Sequence, residues 1–316
     1  MTNNDIITAL ASLINDADKK NKLSLDAAFE IFLNYSKSRV REATLYYYAK
    51  EYKLCKSICD RIGVTDTSEL TKANYNIFVN IMIQKNYSNS TINKCTDLLK
   101  AILSVCNTLD YINYNPLKGI KKLKEKIPEI QIVSKSTKDK IMNYLFSLPH
   151  TPVNLRNICY FLIVNDTGAR LNEMMNIKVK YIFLDKNTIF LDFTKTGKPR
   201  KVYIREITVS YIREFLKYHN NVSEYFFIST KDGKRMNKNY IYEIIDNIQK
   251  ELNIPGSISP HKWRHSLATE LAEANMNINR MMDVLGHTQY TTTKRYLHLN
   301  DDIAKNEVLE ILNQNK

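Results

Sequence analysis

The stretch 259–300, SPHKWRHSLATELAEANMNINRMMDVLGHTQYTTTKRYLHLN, is the most concentrated set of reactive side chains in the sequence. Four of the six histidines fall in it, His261, His265, His287 and His298. Arg264, the only tryptophan (Trp263) and Tyr296, nine residues after His287, lie there too. A helix packed for stability needs an apolar stripe, not an imidazole, a guanidinium and a phenol, which belong to three different pKa classes. His261 and His265 stand four apart on one helical face, a spacing that can hold zinc. Lys262, however, occupies the place where a metalloprotease H-E-x-x-H needs its glutamate, and no carboxylate or cysteine completes a site. His265 reads as a packed supporting residue and His298 as ordinary surface.

Glycine is scarce, with seven in the chain, so its positions carry information. Gly168 sits in Thr167-Gly168-Ala169-Arg170-Leu171-Asn172-Glu173. Gly197 lies in the basic run from Thr194 to Lys201, and Gly286 in Leu285-Gly286-His287. Each falls within two residues of Arg170, Lys195 or His287, where a tight turn or a close approach of backbone to ligand is useful.

The elements that must position these groups divide in two. Residues 1–115 contain one glycine and no proline, and their apolar spacing predicts a bundle of helices. Ser24 is expected to cap the first, Glu42 to Ile62 form the second, Leu70 to Gln84 the third, and Ser90 is expected to cap the fourth. From Asn115 two prolines, a glycine and eight lysines over 26 residues interrupt the periodicity, as in a basic linker. Helices follow at 137–148 and 153–165, then β-type runs at Tyr181–Leu184, Thr188–Phe193 and Lys201–Ile204. In the second run Ile189, Leu191 and Phe193 alternate with polar neighbours. The last two runs form a hairpin whose tip carries Lys195, Lys198, Arg200 and Lys201. Further helices are expected at 206–219 and 237–252. The fold class is thus an all-α helical bundle followed by a mostly α (α+β) domain with a small antiparallel sheet.

Lys and Arg total 46 against 33 Asp and Glu, a net charge of +13. A polyanionic partner is the usual reason to tolerate such self-repulsion. The apolar runs are far shorter than the roughly 20 residues that span a bilayer, so no membrane role is expected. Five cysteines without a C-x-x-C pair point to a reducing compartment, and with no signal-like start the cytoplasm is the expected location.

Five separated motifs, in order, resemble the tyrosine recombinases, the phage-integrase, Xer and Cre-like enzymes. They are T-G-A-R-x-x-E at Thr167–Glu173, a lysine in a β-hairpin at Lys195, H-x-x-R-H at His261–His265, L-G-H at Leu285–His287, and Tyr296. The resemblance covers about residues 137–300; the helical half resembles the family's core-binding domain in size and class only. It implies domains at 1–115 (core-binding), 116–136 (basic linker) and 137–300 (catalytic), with a helix at 301–316 that docks on a neighbouring protomer. The two domains would form a C-shaped clamp on DNA.

Metal-independent cleavage of a phosphodiester needs a nucleophile, charge stabilisation on two non-bridging oxygens and a proton for the leaving 5′-oxygen. By the resemblance Tyr296 is the nucleophile, giving a 3′-phosphotyrosyl bond, and Arg170, Arg264 and His287 hold the phosphate. His261 accepts the tyrosine proton, Lys195 is the general acid and Glu173 orients the arginines. Tyr290, three residues from His287, is a rival nucleophile. Lys198 rivals Lys195, with the register against Arg200-Lys201-Val202 favouring Lys195. No metal or cofactor is implied. The expected substrate is double-stranded DNA with an inverted-repeat-type site, joined by a homo-tetramer through a Holliday junction. At most about twenty residues precede the first helix of the core-binding region, too few for a further arm-binding domain. That favours an Xer-like or small mobile-element recombinase. A non-catalytic DNA-binding regulator on the same fold and a type IB topoisomerase-like relaxase are the alternatives. Target sequence, cleavage order and any accessory protein are not legible.

Overall fold

The computed structural model describes residues 22–125, 129–194, 197–219 and 223–297, with the backbone alone at Leu297. The chain divides into two compact units, residues 1–128 and 129–316.

In the first unit four helices enclose one core: α1 (Leu25–Ser36), α2 (Glu42–Arg61), α3 (Lys72–Gln84) and α4 (Asn89–Thr108). Three begin where a hydroxyl satisfies a free first-turn amide: Ser24 accepts from Ala27, Thr71 from Asn74 and Ser88 from Thr91. The cap of α4 is therefore Ser88, not the expected Ser90. Phe29, Phe32, Ile58, Phe78, Ile92, Leu99 and Leu103 meet in the core, with Cys55, Cys59, Cys95 and Cys106 packed among them as small apolar groups. Part of the lysine-rich stretch expected as linker belongs to this unit. Leu117 is fully buried in its core, and Asn93 of α4 pairs with the backbone of Leu123 through both its amide nitrogen (2.9 Å) and its oxygen (2.8 Å).

The second unit is built around α6 (Pro152–Thr167). Its run from Ile158 to Val164 is at most 1 % exposed at every position. A helix apolar on all sides must be wrapped, and α5 (Lys135–Ser147), α8 (Glu206–His219) and α10 (Pro260–Glu273) cover it. Trp263 of α10 meets Phe161 edge-on at 5.5 Å. Burial of side chains of this size contributes roughly 1.5–3 kcal/mol each. Asp166, near the end of α6, accepts from Arg205 and Thr208 at the start of α8, which fixes where the following turn begins. Lys138 of α5 reaches Glu270 of α10 at 2.6 Å, and Val133 pairs with Ser266. Between α6 and α8 come a one-turn helix, α7 (Leu171–Met174), and three antiparallel strands in the order β1 (Ile182–Phe183), β2 (Thr188–Leu191), β3 (Arg200–Tyr203). The pair Leu191↔Arg200 is the last rung of this ladder. β2 ends two residues earlier than expected, and Phe193 is half exposed for want of a strand partner. The unit continues with α9 (Lys238–Glu251), α11 (Ile278–Leu285) and α12 (Tyr290–Leu297). Among the described residues no helix is long and apolar enough to cross a membrane.

Candidate active site

Two glycines place the arginines. Gly168 ends α6 in the left-handed region at φ 56°, and a Cβ there would stand 3.1 Å from Leu267 and 3.3 Å from Leu285. Glycine suits the left-handed turn and the close approach of α10 and α11 to that point. The turn sends the chain back so that Arg170 caps α7. Gly286 ends α11 in the same way, at φ 65°, immediately before His287.

Both expected arginines are held by carbonyls of these turns. Arg264 donates to the Gly168 carbonyl at 2.7 Å and also to that of Leu285. Arg170 donates to the next carbonyl, Gly286, at 3.1 Å. Two guanidiniums that start 94 positions apart thus end on adjacent peptide units beside His287. Glu173 is 2 % exposed and binds Arg170 through its backbone amide (2.8 Å) and its guanidinium (2.9 Å). It binds Arg200 of β3 as well, by a fork at 3.0 and 2.8 Å, while Arg200 Nε donates to Val284 at 3.2 Å. The sequence marks Arg200 only as a hairpin cation and register marker. Its signal was parity: it alternates in step with Val202 and Ile204, both buried, and a charge on the inward side of a strand marks a built polar site.

Tyr296 lies on α12 and is 3 % exposed, packed with Leu267, Ala268, Ala272, Met281 and Leu285. Its hydroxyl is hydrogen-bonded to Nδ1 of His265, the histidine read from sequence as a supporting residue. His261, expected to take the tyrosine proton, is exposed one turn away, its ring 4.2 Å from that of His265. His287 Nδ1 meets Thr293 of α12 at 2.8 Å. Tyr290, the rival nucleophile, is half exposed. Lys195, like His298 and the segment 301–316, lies outside the described residues. Among the described residues no third histidine, cysteine or carboxylate joins His261 and His265 in a metal-binding group.

The electrostatics follow from this crowding. Three guanidiniums, Arg170, Arg200 and Arg264, face one carboxylate. Burial, then the neighbouring Arg170, lowers Arg264 to about 9. Burial, then Arg264, Arg170 and Arg200, lowers His287 to about 3. His265 falls to about 4 through burial, His261, Arg295 and Arg264. Burial would raise the Glu173 carboxyl, but Arg200 and Arg170 outweigh it and hold it ionised. Tyr296 is pushed up by burial against the pull of Arg264 and Arg295. A buried excess of fixed positive charge beside neutral imidazoles is suited to an anion.

Comparison with known proteins agrees with this geometry. The family model described as "Phage integrase family" matches residues 134–302, more than half of the chain. Tyrosine recombinase XerC of Treponema denticola is 24 % identical over 308 residues, covering 89 % of this chain and 97 % of its own. Tyrosine recombinase XerA of Pyrococcus horikoshii is 23 % identical, covering 88 % and 90 %. Among solved structures, the Tn1549 transposon integrase in complex with a circular intermediate DNA superposes with a TM-score of 0.73 at 19 % identity, over 90 % of this chain and 99 % of that one. A lambda integrase dimer bound to a core site gives 0.69 at 17 %, over 92 % and 80 %. With its two arginines on consecutive carbonyls and its tyrosine against a histidine, the chain belongs to the phage integrase family, the tyrosine recombinases.

Proposed function

We propose that the protein is a site-specific DNA recombinase that cleaves and rejoins duplex DNA through a 3′-phosphotyrosyl intermediate. The observation that carries this reading is the anchoring of Arg170 and Arg264 on the Gly286 and Leu285 carbonyls, directly before His287. Those three groups hold the non-bridging oxygens of the scissile phosphate, and Glu173 keeps Arg170 in place. Tyr296 attacks the phosphorus. His261 stands at the exposed rim beside His265, and Lys195 protonates the leaving 5′-oxygen. The DNA bound in the similar transposon integrase structure and the +13 charge support DNA as the substrate. A tetramer on paired inverted-repeat sites, a Holliday-junction intermediate and docking of residues 301–316 on a neighbouring protomer complete the proposal.

The test is covalent capture from a pool of random-sequence duplexes, each nicked so that cleavage releases a short strand and traps the adduct. Wild-type protein gives an adduct on a defined sequence, and Tyr296→Phe gives none while still binding. A wild-type chain that never becomes attached to DNA sinks the reading. Relaxation of any supercoiled plasmid without a preferred site replaces it with a relaxase.

A further inference from the structure

Within that recombinase reading, we infer that His265 is a catalytic residue, the general base that takes the proton of Tyr296 as its oxygen attacks. The Tyr296 hydroxyl points at Nδ1 of His265, a contact made across 31 residues between α10 and α12. Burial keeps the tyrosine protonated, so its proton needs a receiver already in place. Held well below its ordinary value, His265 is a neutral imidazole at physiological pH, and with its proton on Nε2 it offers a lone pair to that hydroxyl. His261 stands beside it at 4.2 Å but is exposed at the rim.

The O–H bond of Tyr296 breaks and its proton moves to His265 Nδ1. The phenolic oxygen bonds to phosphorus, and the bond from phosphorus to the 5′-oxygen breaks with that oxygen taking a proton from Lys195. In rejoining, the imidazolium returns its proton to the departing phenolate. The groups facing His265 are Tyr296 and Arg295 from α12, His261 and Arg264 from its own helix, and His287 after α11. The cations disfavour the imidazolium until the phosphate's negative charge arrives among them, which couples base strength to DNA binding.

The experiment uses the sequence captured from the random pool, made with a 5′-bridging sulfur at the scissile bond. That leaving group needs no proton, so Lys195 is removed from the kinetics. His265→Ala is expected to cleave roughly 10²- to 10⁴-fold more slowly and to regain rate when imidazole is added. His265→Gln, which can accept a hydrogen bond but not a proton, stays slow. The wild-type rate, which needs no variant, falls with slope one on the acidic side. Either variant cleaving within about threefold of wild type overturns the assignment. So does a slow, folded His265→Ala that imidazole does not help, because that is a packing role. A wild-type rate proportional to hydroxide over roughly pH 5–9 overturns it too, because the tyrosine then ionises unaided. If wild type forms no adduct at all, the recombinase reading falls with it; if wild type reacts and His265→Ala keeps pace, only this inference falls.

Discussion

Arg200 and Glu173 face each other as a planar fork, two guanidinium nitrogens on two carboxylate oxygens at 3.0 and 2.8 Å, with the Glu173 side chain 1 % exposed. The same carboxylate holds Arg170 at 2.9 Å. One buried anion therefore joins Arg200 of β3 to Arg170, which caps α7. Removing it leaves two guanidiniums facing each other in a site of low dielectric. Glu173→Ala should cost roughly 3–5 kcal/mol of stability, read from urea unfolding, as for other broken buried pairs. Arg200→Lys keeps the charge but loses the fork, and should lower the cleavage rate more than it lowers DNA affinity. A Glu173→Ala protein that unfolds at the wild-type urea concentration contradicts this account.

Gly286 offers a second test, because two separate penalties meet there. Its φ of 65° strains any residue with a Cβ, and that Cβ would stand 2.7 Å from Arg200 Nη1 and 2.9 Å from its Cζ. Gly63 has a similar φ of 72° and nothing within 4 Å. Gly63→Ala should cost about 1 kcal/mol, the conformational part alone. Gly286→Ala should cost about 1–3 kcal/mol more, because Arg200 must leave Val284 or Glu173. Equal losses in the two variants, measured by thermal unfolding, would show that the contact with Arg200 carries no energy.

Much of this was legible in the sequence, and the parts that were not share a physical reason. The helices were readable because glycine and proline are scarce and hydroxyl residues mark the starts. The slip from Ser90 to Ser88 in α4 is a choice between two serines one half-turn apart. Phe193 follows the alternation of Ile189 and Leu191, but a pattern does not say where a neighbouring strand stops. Arg170, Arg264 and His287 stand out because each sits beside a turn glycine or another reactive side chain. His265 and Arg200 did not, since nothing beside them in the sequence shows that Tyr296 and Glu173 will face them. Spacing shows that His265 shares a face with His261; it cannot show which of the two the α12 tyrosine will meet.

Two histidines with depressed pKa values make the stability of the fold depend on pH. His287 sits at about 3 and His265 at about 4, both below the roughly 6.5 of a free imidazole. Above the unfolded value both states are neutral and the histidines do not affect stability. As pH falls through about 6.5 the unfolded chain takes up protons that the folded chain refuses, so stability declines until the folded values are reached. Carboxylates held low, such as Glu173, add their own loss only below about 4.5. Between roughly pH 6.5 and 4.5 the melting temperature should therefore drop, and His287→Asn should flatten that drop. The opposite sign applies to DNA binding. A phosphate among Arg170, Arg264 and His287 favours the imidazolium, so binding takes up protons and affinity should rise over the same interval. Proton uptake is measurable as a difference in binding heat between two buffers of unlike ionisation enthalpy. If wild type and His287→Asn melt with the same pH slope, and binding exchanges no protons, the phosphate does not sit against His287.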